Sequence, residues 1–423
     1  MKIRPFREVQ IRQAKRIRQK SLSKFIAVTG SSGKSTTVSL LSHIIEGYAP
    51  IKSQYMHNTI KPLIKTIRQH RQEELFVVAE LGVGGKGQMA PMADIIKPDV
   101  AILTMIGDEH YSSFRGREGV FNEKNQLFKS LQSNGLAILN GDDNYGLKIS
   151  KQTACRNVTF GNNNPNTDYR VKDISASIPE LLSFTIKNKK FEIKLQTQFP
   201  GEQFWMPVTA AVVAALELRV PIEIIKEKVK TFYPVAGRCS IHQIPDGPCF
   251  ILDTAKAPYS TLSLAFDMLK NKKLYRKRII IGTISDYAGS RSNKYRKAWK
   301  YARECADQVI FVGSKSSSIK PNVEDTLNGR IIFCKTPEEA FEYIKKTSIP
   351  NEVILIKGSR NLHLERLMLA FKKKVLCWEP SCKVGENCFT CPGISWKFNN
   401  KKIKRALKKQ HFKAMFSISF ISI

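Results

Sequence analysis

The chain has 423 residues, of which 42% are hydrophobic, enough for two or three soluble domains with real cores. Its nine cysteines are too few for a secreted disulfide scaffold of this length, and no apolar run reaches the roughly 18 residues that a membrane span needs. The net charge of +33 fits either nucleic acid or an acidic substrate bearing phosphates or carboxylates, but no nucleic-acid recognition motif is present and few aromatics interleave the basic runs at 1–24, 270–278 and 397–413. The cytoplasm is the default compartment.

The first 20 residues carry only a thin apolar stripe, Ile3, Ile11, Ala14 and Ile17, which fits a solvated basic helix or an anchor to an anionic membrane surface or nucleic acid. Phe25–Val28 reads as a buried strand and Thr36–Tyr48 as a helix. Further buried strands are expected at 75–80, ending in Glu80, at 99–104, running into Ile106–His110, and at 136–140, followed by Gly141–Asp143. A helix is expected at 120–131, a β-rich insertion at 157–199, an alanine-rich helix at 206–218 and another helix at 222–232. A second alternation follows, with strands at 249–252, 278–281, 308–312 and 353–356 and helices near 260–270, 293–305, 337–346 and 361–372. Apolar strands alternating with helices argue for an α/β fold with a parallel sheet, and ligands in such sheets bind at the C-terminal strand ends. The loop 29–35, Glu80, His110 and Asp143 all fall there. The second unit is smaller and Rossmann-like, but it has no GxGxxG loop to hold a dinucleotide.

Between the first strand and its helix lies Thr29-Gly30-Ser31-Ser32-Gly33-Lys34-Ser35-Thr36. Glycines let backbone N–H groups converge, a helix N-terminus adds positive potential, and Lys34 adds a full charge: a phosphate cradle of P-loop type. Ser35 stands where a hydroxyl ligand for Mg²⁺ belongs. The strict pattern asks for glycine at position 28, where Val28 stands. The bland reading of the loop is a glycine-rich turn with a chance lysine.

Four segments together resemble the Mur ligases, in particular the D-alanyl-D-alanine-adding branch: VTGSSGKSTT at 28–37, AELGVGGKGQM at 79–89, IGDEHYSSFRGREGVFNEKNQLF at 106–128 and IKGSRNLHLERL at 356–367. The resemblance covers roughly residues 25–372. It implies an ATP- and Mg²⁺-dependent ligase that phosphorylates a substrate carboxylate and passes the acyl group to an amine. It divides the chain into a basic segment 1–24, a P-loop-type central ATP-binding domain 25–236, a C-terminal domain 237–372 that must close over ATP, and a cysteine-bearing basic tail 373–423. Lys34 would hold the β- and γ-phosphates, Ser35 one Mg²⁺, and Glu80 and His110 a second. Lys124, at the family's spacing from His110, would be carbamylated by CO₂. Arg238, Asp253 and Lys256 match positions that serve ATP, and Lys357, Ser359 and Arg360 match a loop facing the substrate.

The departures from the family are equally specific. Lys256 replaces a histidine, and Pro207 stands where an asparagine reads adenine, with Trp205 nearby as a stacking or packing residue. Only 24 residues precede the first strand, where peptidoglycan ligases carry a UDP-sugar domain. The layout is similar to folylpolyglutamate, cyanophycin and poly-γ-glutamate synthetases, so the carboxylate need not be a UDP-muramoyl peptide. These departures motivate a rival reading, an altered nucleotide-binding relative that meets an acidic partner through its basic ends. Outside the resemblance, Cys377-x4-Cys382-x5-Cys388-x2-Cys391 has the ligand count for tetrahedral Zn²⁺; the alternative is a set of free or redox-active thiols, and the spacing does not suit an iron–sulfur cluster. The apolar end, 412–423, is expected to pack as a strand or dock elsewhere.

Overall fold

A computed structural model of the chain describes residues 5–270, 275–313, 319–380, 382 and 387–417. They form two compact units, Met1–Val235 and Ala236–Ile423. The basic run at 270–278 is thus described only in part, and residues 418–423 of the apolar end lie outside the described residues; 412–417 belong to the helix Asn400–Ser417 instead of a strand.

The first unit is built on nine strands: β1 (Lys24–Thr29), β2 (Ile51–Gln54), β3 (Phe76–Glu80), β4 (Val100–Leu103), β5 (Leu136–Asn140), β6 (Arg156–Gly161), β7 (Tyr169–Ser177), β8 (Glu180–Lys187) and β9 (Glu192–Gln196). Their order is β2-β3-β1-β4-β5-β6-β7-β8-β9, with parallel pairing from β2 to β7 and antiparallel pairing from β7 to β9. Strands β3, β4 and β5 are buried at every position because helices cover both faces, which is why they read as unbroken apolar runs. Alternate residues divide between two cores. Ile26, Val28, Val78, Ile102 and Ile138 face the helices Lys34–Glu46 and Trp205–Glu217, while Phe25, Ala27, Val77, Ala101 and Leu139 face Ile60–Arg68, Met89–Ile96 and Arg117–Lys129.

Two expectations change. The β-rich stretch is no insertion: β6 pairs in parallel with β5, so 156–196 extends the same sheet. The N-terminal helix Pro5–Lys20 is not simply solvated. Ile11, Ala14 and Ile17 of its stripe pack on the second core, with Ala14 fully buried, while Ile3 lies outside the described residues; Arg18 donates to the carbonyl of Ile96 at 2.8 Å and to Asp99 Oδ2 at 3.0 Å.

The second unit has six strands: β10 (Ser240–Gln243), β11 (Cys249–Asp253), β12 (Lys277–Ile281), β13 (Gln308–Val312), β14 (Ile331–Cys334) and β15 (Val353–Lys357). The order is β10-β11-β15-β12-β13-β14, parallel except for the antiparallel edge strand β10. The tail packs on this unit: Val375, Cys388 and Ile394 join its core. No helix among the described residues is long and apolar enough to cross a membrane.

Candidate active site

Strand register assembles the site of the first unit. Val28 pairs with Glu80, Thr29 with Leu103, and Leu103 with Leu139, so the segments that follow β1, β3, β4 and β5 leave the sheet side by side. The chain order reverses between β1 and β4, the switch point at which such sheets hold ligands.

The loop after β1 needs its glycines. Gly30 has φ +144° and Gly33, which caps the helix Lys34–Glu46, has φ +83°. A β-carbon at Gly33 would also crowd Met206 Cε at 3.1 Å and Pro207 Cβ at 3.3 Å. Pro207 therefore lies against the phosphate loop, and its carbonyl accepts from the Thr37 hydroxyl at 3.2 Å. Trp205 is partly buried and packs on the core. Ser31 N–H donates to the carbonyl of Met105 at 2.8 Å, and Thr104 Oγ1 donates to the carbonyl of Ser32 at 2.5 Å, tying the loop to the segment after β4. Thr29 Oγ1 donates to the carbonyl of Leu81, and Thr36 is buried in the first helical turn.

Lys34 is buried and donates to the carbonyl of Gly30 at 2.6 Å. Its charge lies between two carboxylates. Glu80, 2% exposed, accepts from Ser35 Oγ at 2.8 Å, Met56 N–H at 2.9 Å and Asn58 Nδ2 at 2.9 Å. Burial alone would raise its carboxyl; Lys34 and these three donors outweigh that and hold it below the ordinary carboxylate range. Glu109 is also held low: burial pushes it up, and Lys124, Lys34 and His110 more than reverse the push. Its Oε1 lies 2.6 Å from Lys124 Nζ and accepts from Ser31 Oγ at 3.2 Å. Lys124 is completely buried, on the helix Arg117–Lys129. His110 has φ +44°, a strained backbone for a residue with a side chain, and starts the short helix Tyr111–Phe114.

Sequence reasoning missed Glu109 and Glu123. The buried Glu123 accepts from the amides of Gly87, Gln88 and Met89 at 2.6–2.7 Å, so it fixes the glycine-rich segment after β3. Adjacent acids in EHYSSF and NEKNQ were visible; their partners, 15 and about 35 residues away, were not. Asp143 is a helix cap, accepting from Tyr145 N–H at 2.9 Å and from Ile106 N–H at 2.5 Å.

The hydroxyl of Ser35 against an ionised, buried carboxylate is a hard oxygen donor pair beside a phosphate-type loop. Those residues fit Mg²⁺ and a nucleotide triphosphate.

The second unit gathers the other expected residues at the ends of β11 and β15, where Asp253 pairs with Lys357 in register. Lys357 Nζ donates to Asp253 Oδ2 at 2.5 Å and to the carbonyl of Lys256 at 2.9 Å. Lys357 is thus buried and turned towards Asp253, while the Lys256 side chain is exposed. Arg238 and Arg360 are half-buried, and Arg238 Nε and Ser359 Oγ are buried without a hydrogen-bond partner among the described residues.

This fold and site define a ligase of Mur type. The Mur ligase middle domain matches residues 28–215 and the Mur ligase glutamate ligase domain matches 237–360; the chain belongs to the Mur ligase family of ATP-dependent amide-bond-forming enzymes. It is 25% identical over 376 residues to the UDP-N-acetylmuramoyl-tripeptide–D-alanyl-D-alanine ligase of Haemophilus influenzae, covering 86% of this chain and 80% of that one. The corresponding ligase of Bacillus subtilis is 23% identical over 360 residues, with 84% and 77% covered. The crystal structure of MurF from Acinetobacter baumannii superposes with a TM-score of 0.75 at 25% identity, over 87% of this chain and 81% of that one. MurF from Thermotoga maritima in complex with ADP shares the fold, with a TM-score of 0.75 at 19% identity, over 88% and 84%. The rival reading, an altered relative serving an acidic partner, finds no support in these likenesses.

Proposed function

We propose that this ligase activates a peptide or small-molecule carboxylate with ATP and joins it to an amine, for which D-alanyl-D-alanine, named for its relatives, is the first to test. A carboxylate oxygen attacks the γ-phosphorus and ADP leaves; the amine nitrogen attacks the acyl carbon and phosphate leaves. Such chemistry asks the protein for positioning and charge neutralisation. Lys34 and the amides of Thr29–Thr36 hold the phosphates. Ser35, Glu80 and His110 would hold Mg²⁺, which when bound neutralises charge on the transferring phosphoryl group. Arg238, Asp253 and Lys256 serve the nucleotide. Ser359 and Arg360 take the substrate's carboxylate, and Lys357 holds Asp253 in place. The observation that carries this reading is the buried Glu80 carboxylate hydrogen-bonded to Ser35 at the mouth of the phosphate loop.

Lys124 acts in one of two ways. As the family resemblance has it, its amine takes up CO₂ and presents a carbamate. The 2.6 Å contact to Glu109 favours a second reading, in which Glu109 is the required carboxylate and Lys124 holds it. Labelled ¹³CO₂ separates them: a trapped carbamate on Lys124 supports the first, while none together with an inactive Glu109→Gln supports the second.

The overall test is phosphate release from ATP with pools of carboxylates and amines, against a Lys34→Ala control. No stimulation above that control by any pool would sink the proposal.

A further inference from the structure

The tail cysteines are tied, one after another, to a single short stretch of the second unit, His363–Arg366. Arg366 is fully buried, and its guanidinium donates to the carbonyls of Cys377 at 2.7 Å and Glu379 at 3.0 Å, as well as to those of Leu362 and His363. His363 Nε2 lies 3.1 Å from the carbonyl of Cys382. Glu365 Oε1 accepts from Cys388 N–H at 3.0 Å. Cys391 is brought in from the other side: Cys377 N–H donates to the carbonyl of Ile394 at 3.1 Å, and Ile394 N–H donates back to the carbonyl of Cys391 at 3.4 Å. Four cysteine backbones from two ends of one loop thus converge on the start of the helix Glu365–Lys372.

Potential ligand side chains gather at the same place. All four cysteines are free thiols. The donor atoms of His363, Glu365 and Cys388 lie within 4.8 Å of one another, all buried. Two of the four thiols, Cys377 and Cys388, are buried and two, Cys382 and Cys391, are half-buried, and neutral thiols held on one stretch beside a carboxylate gain little from one another. A divalent cation reverses that balance, because it replaces the thiol protons and binds the resulting thiolates. The local fold also calls for a staple. Between Lys373 and Asn399 the described residues form no helix or strand, and only Val375, Cys377, Cys388 and Ile394 are buried apolar anchors.

We propose that Cys377, Cys382, Cys388 and Cys391 bind one Zn²⁺ as four thiolates, with His363, Glu365 and Arg366 holding the ligand-bearing backbone, and that this knot fixes the loop Lys357–Arg360 that leads into it. The first half stands on the cysteine geometry alone; the second rests on the reading of that loop as a substrate site. The Arg360–Leu362 turn runs directly into His363, whose N–H donates to the carbonyl of Arg360 at 3.1 Å. Outer contacts of this kind typically change metal affinity by 10–100-fold.

The test uses the full-length protein. Elemental analysis should find about one zinc per chain, and exchange into Co²⁺ should give intense thiolate-to-cobalt charge-transfer absorption of a four-sulfur site. Cys391→Ser and Cys382→Ser should each weaken that absorption, Cys334→Ser should leave it intact, and His363→Gln should lower zinc affinity roughly 10-fold. Wild-type protein refolded with equimolar zinc yet holding none overturns the site, as does intact-mass evidence of disulfides among the four. A cobalt spectrum of a single thiolate, unmoved by Cys391→Ser and Cys382→Ser, overturns the four-thiolate assignment in favour of Cys388 with His363 and Glu365. Metal content is read without any ligase assay, so failure of the reaction proposal leaves this result standing. Where the ligase is active, zinc removal should raise the amine KM several-fold with a smaller change in the KM for ATP; equal changes in both overturn the link to the loop.

Discussion

Lys34, the first residue of the helix after β1, and Lys357, the last residue of β15, are both buried lysines, and they meet opposite partners. Lys34 rests on a neutral carbonyl, that of Gly30, with the carboxylates of Glu80 and Glu109 near enough to feel its charge. Lys357 is locked to a carboxylate, Asp253, and to the carbonyl of Lys256. An ammonium held by a carbonyl can turn to an incoming phosphate and give up only one neutral hydrogen bond. An ammonium paired with a carboxylate cannot leave without stranding a charge. The first lysine is placed for a ligand, the second for the scaffold, although the sequence presents both as glycine-flanked lysines in a strand-end loop.

The sharpest way to break this contrast is to remove each lysine and watch activity and stability separately. Lys34→Ala should lower ATP-dependent phosphate release by at least about 10³-fold, with some fall in the urea midpoint because Glu80 and Glu109 lose a buried counter-charge. Lys124→Ala should be nearly inactive, on the order of 10²–10³-fold down, with part of the rate restored by a short added carboxylate; full activity in that variant removes Lys124 from the mechanism under either reading. Lys357→Met should destabilise the second unit by about 3 kcal/mol, because the half-buried Asp253 loses its ammonium partner, while leaving the phosphate loop of the first unit unchanged. The double variant with Asp253→Asn should recover much of that loss in urea unfolding, and strict additivity would refute the pairing argument.

A smaller effect comes from His242, whose imidazole is pushed down to about 4 by burial and then by Lys372. Below about pH 6.5 the unfolded chain takes up a proton that the folded one refuses, so the histidine's contribution is complete above that pH and is lost as pH falls towards 4. The urea midpoint of the wild type should therefore drop between pH 7 and pH 5 by more than that of His242→Gln. Phe389 of the tail stacks on this ring at 5.7 Å, so loosening the tail should shrink the difference. The smallest change is expected from Pro207→Asn, which should raise the preference for ATP over GTP by roughly 10-fold, read from the ratio of kcat/KM values.

Much of the architecture was legible because the information is local. Buried parallel strands announce themselves as apolar runs, and the phosphate loop is contiguous, so Gly30, Gly33, Lys34 and Ser35 could be read off in order. Strand β2 was missed because its four residues, Ile51–Gln54, are mostly half-buried and carry little apolar pattern. The extension of the sheet by β6 was missed because the alternation of 157–199 shows strands but not their neighbours. Pairings between distant charges escaped for the same reason. Nothing near Lys357 points to Asp253, 104 residues earlier, and nothing near Glu123 shows three amides waiting for it. The cysteine spacing suggested a metal, yet nothing in the sequence marks Arg366 as the buried residue that draws their backbone together.

The pairing of Val28 with Glu80 has a consequence for how such a site can vary. A parallel ladder works as a ruler with divisions of about 3.3 Å, and a shift by one division also turns every side chain to the opposite face. Glu80 and the phosphate loop are placed on the same ruler. Intermediate positions do not exist for them: the carboxylate is either beside Ser35 or on the wrong side of the sheet. Loops farther along the chain can lengthen, shorten or change composition without moving those marks. A lineage can therefore exchange the acids and amines it joins while the phosphate end stays in register.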